Sequence, residues 1–395
     1  MEYGTALGRL DICKRRLYHA SMHPEALLQE RTALVDAAIA LEPLDRVPLV
    51  YQGEAFSPRY MGVPLATYAT DPDVAVRTTL AAMDRLQGFD AISTVPGGRI
   101  GVLLSSIWMS HVSIPGRELP PDALWQVEER ADMTADEYEV ILSLGWPRFE
   151  ETIRPRFLDV DELADTSAWL EAQFDEAVAA FRRHGFVPLC GAIVAPPFER
   201  LCGARSMTGF FADLYRRPDL VKRAMDAMAP ALIEEAVAVA EACGLPSIWV
   251  GGWRSAGGMV SRAVWEEFVF PHLKDLVWAL ADAGIRPTLH FDHDWTRDLA
   301  RLRELPAATC LLNLDGMTDI RAAHEILGDH MALLGDVPAT LLTVGTPADV
   351  REYVRRLIAD VGRRGLLLAP GCDIPCDARG ENVEALVEAG LEYGA

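Results

Sequence analysis

His290-Phe291-Asp292 sets an imidazole and a carboxylate two residues apart at the end of a short apolar run, Arg286–Phe291. Alternate residues of a strand share a face, so both side chains point the same way. Cys372 supplies a thiol far downstream, just after another such run, Gly365–Leu368. Imidazole, carboxylate and thiolate form a borderline-soft donor set that suits Zn²⁺. Three protein ligands leave a fourth position open, as a catalytic zinc requires. Cys376 follows four residues after Cys372 with Pro375 between them, in a segment read as a turn. We read Cys372 as the ligand and Cys376 as a bystander. The plainer alternative is that both are small buried residues.

Other candidates stand where strand-like runs give way to loops. Glu54, Asp315 and Asp336 follow three such runs and are candidates for proton handling or substrate positioning. Trp253, Phe291 and Trp295 are candidates to wall an apolar pocket for a cofactor. Each alone has an ordinary structural explanation, since acidic residues are common in loops and aromatic residues in cores.

The elements that would position these groups repeat as a pattern rather than as a sequence. Strand candidates are Val47–Gln52, Asp90–Val95, Val187–Val194, Ser247–Val250, Arg286–Phe291, Cys310–Leu314, Met331–Leu334 and Gly365–Leu368. They are short and apolar, and most end at Gly, Pro or Asp, as strands buried on both faces do. Amphipathic segments alternate with them, including Asp213–Ala242, Ser261–Ala283 with Ser261 as N-cap, a helix opening at Thr346-Pro347, and Glu381–Glu392. This alternation implies a parallel sheet, and closing eight strands gives an α/β fold of the (β/α)8 TIM-barrel type. Residues just after each strand then face the active site. The barrel is expected over residues 45–395, with an N-terminal helical extension over 1–44. The stretch Gly98–Gln173 is too long for one βα unit. It is expected to hold an insertion near the barrel mouth, with extended pieces around Val102–Ile114 and a helix near Asp136–Leu144.

Several longer segments carry a resemblance. Ser261-Arg262-Ala263-Val264-Trp265-Glu266-Glu267-Phe268-Val269-Phe270-Pro271-His272-Leu273-Lys274 is one, followed by Thr288-Leu289-His290. Others are Phe211–Val221, His324-Glu325-Ile326-Leu327-Gly328-Asp329, Leu334-Gly335-Asp336-Val337-Pro338 and Leu368-Ala369-Pro370-Gly371-Cys372-Asp373-Ile374-Pro375. Together they resemble the uroporphyrinogen decarboxylase superfamily, from Asp45 to the C-terminus. The decarboxylases of that superfamily carry an Arg-Gln-Ala-Gly-Arg motif after the first strand. Here the region reads Val50-Tyr51-Gln52-Gly53-Glu54-Ala55-Phe56-Ser57-Pro58-Arg59. A polyanionic substrate is hard to hold without paired guanidinium groups. The corrinoid-linked methyltransferase branch uses a His, a Cys two residues on, and a distant Cys in a Gly-Cys segment. His290 and Cys372 match two of these positions, and Asp292 stands at the middle one.

That resemblance implies a zinc-dependent methyltransferase. It would move a methyl group between a small methylated substrate (an ether, amine or thiol) and a corrinoid. No corrinoid-binding domain is visible in the chain, so a corrinoid protein would be a separate partner. A homodimer is left open. Three rivals are a metal-free lyase or decarboxylase with Arg59, Arg99 and Arg254 as its cations, a corrinoid-carrier binding protein, and a zinc hydrolase.

Composition bounds these readings. The 395 residues carry a formal net charge of −21, which argues against nucleic acid and against anionic membrane surfaces. The seven cysteines form no disulfide framework, and Met1–Leu10 holds no secretory apolar region. A reducing cytoplasm is the expected compartment.

Overall fold

The computed structural model describes residues 23–395. Eight strands follow one another around a single sheet, each parallel to the next: β1 (Val50–Tyr51), β2 (Ala91–Thr94), β3 (Val187–Val194), β4 (Ser247–Gly252), β5 (Arg286–Phe291), β6 (Leu311–Asn313), β7 (Ala332–Val337) and β8 (Leu366–Pro370). Leu49 bridges Leu368 in parallel, and the Leu368 N–H donates to the Pro48 carbonyl at 2.9 Å. That contact joins β8 to β1 and closes the barrel. All eight expected strands are present, each shifted by a few residues at most.

Alternation along the strands divides the apolar residues in two. Val50, Ala91, Val187, Leu189, Leu311, Ala332, Leu334, Leu367 and Ala369 form the barrel interior, a packed core rather than a pore. Their neighbours in sequence, such as Leu312, Leu333 and Leu368, pack outward against the helices. Helix α1 (Pro24–Ile39) contributes Val35, Ala38 and Ile39 to the interior cluster. It therefore stops the end of the barrel where the strands begin. The rest of the expected N-terminal extension, residues 1–22, lies outside the described residues. A buried ionic group fixes this end. Asp90 takes both arms of the Arg46 guanidinium at 2.7 and 2.8 Å, the Leu49 N–H at 2.9 Å, and an ion pair with Arg31 at 3.2 Å.

The segment between β2 and β3 differs from expectation in part. Extended pieces are expected around Val102–Ile114, but Ile100–Trp108 is a helix, α2. Val102, Ser105 and Trp108 are buried on one side while Leu103, Leu104 and Ile107 line a cavity on the other. That is helical spacing, hidden in a run apolar on both faces. Only Val112–Ser113 is extended, pairing antiparallel with Gln126–Val127. The helix expected near 136–144 is α3 (Glu137–Leu144), and α4 (Val160–Arg183) leads into β3, its N-terminus capped by Asp159.

The remaining helices follow the sequence signals with one break. The expected helix over 213–242 is divided at Arg217, and α5 (Pro218–Cys243) starts afresh with Pro at its first position. Ser261 accepts from the Val264 N–H at 3.3 Å, the cap read from its type and place. Thr346 and Asp349 form a reciprocal capping box that opens α6 (Pro347–Val361). Helix α7 (Gly380–Tyr393) ends the chain. Among the described residues no helix is long and apolar enough to cross a membrane.

Candidate metal centre and cavity

The three candidate ligands come from the ends of two strands. His290 is the last residue but one of β5 and is buried. Asp292 follows that strand with its side chain half-exposed, and Cys372 stands two residues beyond β8. One donor atom from each lies within 4.8 Å of the other two. His290 Nε2 is 3.1 Å from Asp292 Oδ1, while Nδ1 is 3.2 Å from the Asn313 carbonyl oxygen on β6. A proton on Nδ1 donated to that carbonyl leaves Nε2 turned toward the carboxylate and the thiol. An orienting carbonyl behind a ligand imidazole is the usual support of a metal-binding histidine.

Close backbone approach makes this convergence possible. A Cβ on Gly251 of β4 would sit 1.6 Å from the His290 carbonyl oxygen. One on Gly371 would sit 2.6 Å from the Asp315 backbone. Glycine at these two places lets β4 lie against β5, and lets the Cys372 loop lie against the loop after β6. The Gly371 N–H donates to Val337 and the Ile374 N–H to Gln52, which pins the loop at both ends.

The electrostatics favour a cation. Burial alone would lower the proton affinity of His290, but Cys372 and Asp292 outweigh it and hold the imidazole well above its ordinary range. Burial likewise pushes Asp292 up, and His290 outweighs it, so this carboxyl is held below its usual value. A carboxylate and a thiol converging on one buried imidazole form a donor set that suits a divalent ion. The nitrogen, oxygen and sulfur donors match those of zinc.

Around the cluster is a polar shell of which reasoning from sequence singled out Glu54 but not Gln52, Asn313 or Asp373. Gln52 Nε2 donates to Asn313 Oδ1 at 3.0 Å, and Asn313 Nδ2 donates to the Leu334 and Gly371 carbonyls. Asn313 therefore ties β6 to β1, β7 and the Cys372 loop. Asp373 accepts from the backbone N–H groups of Glu54 and Ala55 at 2.8 and 3.1 Å. Burial raises Asp373 to about 6. Burial, with the Asp373 charge beside it, raises Glu54 to about 8. Near neutral pH one carboxyl of this pair is a proton donor and the other an anion. A signal was available for Asn313 and Gln52, which are polar residues at the ends of otherwise apolar strand runs.

Comparison with known proteins places this architecture. The family model for uroporphyrinogen decarboxylase (URO-D) matches residues 137–393, well over half of the chain. The chain belongs to the uroporphyrinogen decarboxylase family. A uroporphyrinogen decarboxylase from Syntrophotalea carbinolica is 26% identical over 363 residues, covering 88% of this chain and 93% of that protein. The methylcobamide:CoM methyltransferase MtbA of Methanosarcina acetivorans is 23% identical over 210 residues, covering 52% of this chain and 59% of that one. A solved methyltransferase from Methanosarcina mazei superposes with a TM-score of 0.68 at 20% identity, covering 93% of this chain and 99% of that one. That last likeness is one of fold.

Within this uroporphyrinogen decarboxylase fold, His290, Cys372, Glu54, Gln52 and Asp373 line one cavity of about 870 Å³. Its guanidinium groups are Arg154 and Arg200, and both face carboxylates. Arg200 holds Glu150 at 3.2 Å and Glu235 at 2.9 Å, and Arg154 lies 3.7 Å from Glu150. The cations named for a decarboxylase lie elsewhere. Arg254 is fully buried between Glu129 and Glu199, Arg99 pairs with Asp165, and Arg59 donates to the Asp122 carbonyl.

Several expected residues fall outside the cavity wall. Phe291 and Trp295 are buried in the outer core, edge-on to each other at 5.5 Å. Phe291 neighbours the inward His290 on its strand, so alternation turns it outward. Trp253 packs on Trp108 at 4.9 Å and stacks on Arg254. Trp249 of β4 lines the cavity instead, its ring 5.3 Å from that of His290. Asp336 accepts from the Tyr353 hydroxyl of α6 at 2.8 Å and so faces the helix layer, where burial raises it to about 6. Asp315 is half-buried beside the cluster, its carboxylate accepting from the Met317 N–H at 2.8 Å. Burial raises it, and the neighbouring charge of Asp292 adds to that. Cys376 is partly buried, and its thiol is pushed up by burial.

Proposed function

We propose that this family member is a zinc-dependent methyltransferase. It exchanges a methyl group between a small methylated substrate and a corrinoid carried by a separate protein. The observation that carries the reading is the convergence of His290, Asp292 and Cys372 within 4.8 Å, with His290 and Cys372 opening onto the cavity. His290, Cys372 and Asp292 would hold the metal. When bound, zinc supplies Lewis acidity toward the substrate heteroatom, or thiolate character to an acceptor thiol.

The chain's own residues supply the rest. The Asn313 carbonyl holds the His290 ring in one tautomer. Glu54, neutral up to about pH 8, offers a proton to an alkoxide or amide-like leaving atom as its bond to methyl breaks. Asp373 keeps its carboxylate on the Glu54 and Ala55 N–H groups and so fixes the loop that carries Glu54. Trp249 shields the cluster on one side.

A decarboxylase reading draws on the name of the Syntrophotalea carbinolica relative and its coverage of 88% of this chain. The cavity argues against it, because six lining carboxyls (Glu54, Glu150, Glu171, Asp175, Glu235, Asp373) face two guanidiniums. A substrate with several carboxylates would meet like charge without a free cationic partner. Metal analysis tests the site. Purified protein should carry close to one zinc per chain, and His290→Ala and Cys372→Ala should each remove most of it. Unchanged zinc in both variants would overturn the assignment.

A further inference from the structure

The cavity that holds His290 and Cys372 does not stop at the barrel mouth. The same continuous space passes over the C-terminal ends of β2 and β3 and reaches the helix layer, where Glu171 and Asp175 of α4 face Val239, Ala242 and Cys243 of α5. Glu171, Asp175, Val239 and Ala242 are exposed, so this end meets solvent. In a closed barrel the helices flanking a strand ordinarily cover it. Here they leave a trough over β3, and the strand itself is irregular. Its pairing to β4 slips between Cys190 and Ile193, and Gly191-Ala192-Ile193 are only partly buried. A Cβ on Gly191 would collide with Cys243 at 2.7 Å and crowd Phe174 at 3.0 Å, so glycine here lets these two side chains lie directly on the strand as the floor of the trough.

We infer that this trough is a second, lateral entrance, through which small neutral or cationic molecules reach the metal-ligand end of the cavity while the barrel mouth is covered. The charge of its wall sets the class. Four carboxylates (Glu150, Glu171, Asp175, Glu235) stand against two guanidiniums (Arg154, Arg200). Arg200 is 4% exposed and already bonded to two of those carboxylates, so no free cation greets an anionic solute. The purpose of the entrance rests on the methyl-transfer reading. A corrinoid on a partner protein is too large to pass into the cavity and would sit over the mouth, so the small substrate needs another way in and out. The existence of the trough does not rest on that reading.

Cys243 lies in the trough and reports on it directly. Burial, followed by the charge of Asp175, raises its thiol to about 11, so labelling is done at pH 9 and read by mass spectrometry of its peptide. Iodoacetamide should label Cys243, and iodoacetate should lag by about 10-fold more than it does on a free thiol. Val239→Trp, on the exposed rim, should slow labelling by about 10-fold at unchanged melting temperature, and Ala242→Trp should do the same. In methyl transfer, Val239→Trp should raise KM for the methyl substrate by about 10-fold and change kcat and the KM for the corrinoid partner much less. Labelling that is absent in the parent, or equally fast in both tryptophan variants, would overturn the entrance. Loss of discrimination between the two reagents would overturn the charge argument. Labelling as described in a protein that shows no methyl transfer would keep the entrance and sink the function proposed above.

Discussion

At the scale of single residues, the cluster makes unequal demands on its three members. His290 and Cys372 face the cavity, whereas Asp292 is half-exposed and bonds to Nε2 of His290. If Asp292 binds the metal, Asp292→Ala should weaken zinc affinity as much as Cys372→Ala does. If it orients His290 instead, the loss should be the smaller, roughly 10–100-fold. Competition with a chromophoric chelator separates the two outcomes, and unaltered affinity and activity would remove Asp292 from the site. Glu54 makes a prediction in pH. Its carboxyl is protonated below about 8, so proton delivery should fail as pH rises through that value. Demethylation should therefore fall on the alkaline side of about 8. Glu54→Gln should cost about 100-fold in kcat and abolish that limb. A variant with full activity and an unchanged profile would show that the proton comes from elsewhere. Sequence made His290, Asp292, Cys372 and Glu54 legible because strand ends and donor chemistry single them out. Trp249 was not legible, because its approach to His290 depends on the register of β4 against β5, which no local pattern encodes.

At the scale of elements, the eight strands were readable because each is a short apolar run closed by a turn residue. The misread helix α2 shows where that signal ends. Ile100–Trp108 is apolar toward both the core and the cavity, so its periodicity is masked. The joint between α1 and the barrel was unreadable for another reason. It depends on Arg31, Arg46 and Asp90, charged residues with no spacing signature that meet only in the fold. Asp90 and Arg31 are buried, so Asp90→Ala leaves two guanidiniums without their shared anion. It should cost about 3–5 kcal/mol in chemical denaturation. The pH sign follows from the direction of its shift. Burial pushes Asp90 up, but Arg46 and Arg31 outweigh it and hold the folded-state value below the ordinary 3.8. Its contribution is thus complete above 3.8 and is lost as pH falls through the lowered value. The parent protein should lose this increment on acidification and Asp90→Ala should not. Equal acid sensitivity of the two would contradict the role given to Asp90.

At the scale of the whole molecule, the barrel brings the ends of β1, β5, β6 and β8 to one side. Residues distant in sequence thereby share a cavity, and alternation plus closure was enough to foresee it. The shape and charge of that cavity were not foreseeable, because they depend on a trough between α4 and α5 and on which carboxylates neutralise Arg200. If a carrier protein docks as proposed, the net charge of −21 makes a basic face its electrostatic complement. The central claim is methyl transfer to or from a corrinoid, and the cobalt spectrum tests it most directly. The zinc-loaded protein is mixed with cob(I)alamin and a panel of methyl ethers, methylamines and methyl thioethers, and separately methylcobalamin is offered to thiols. The account predicts that methylcobalamin appears with at least one donor, or disappears with at least one thiol, and that His290→Ala abolishes the change. An unchanged cobalamin spectrum in both directions, with a carboxylated substrate losing CO₂ in the absence of cobalt, would contradict it.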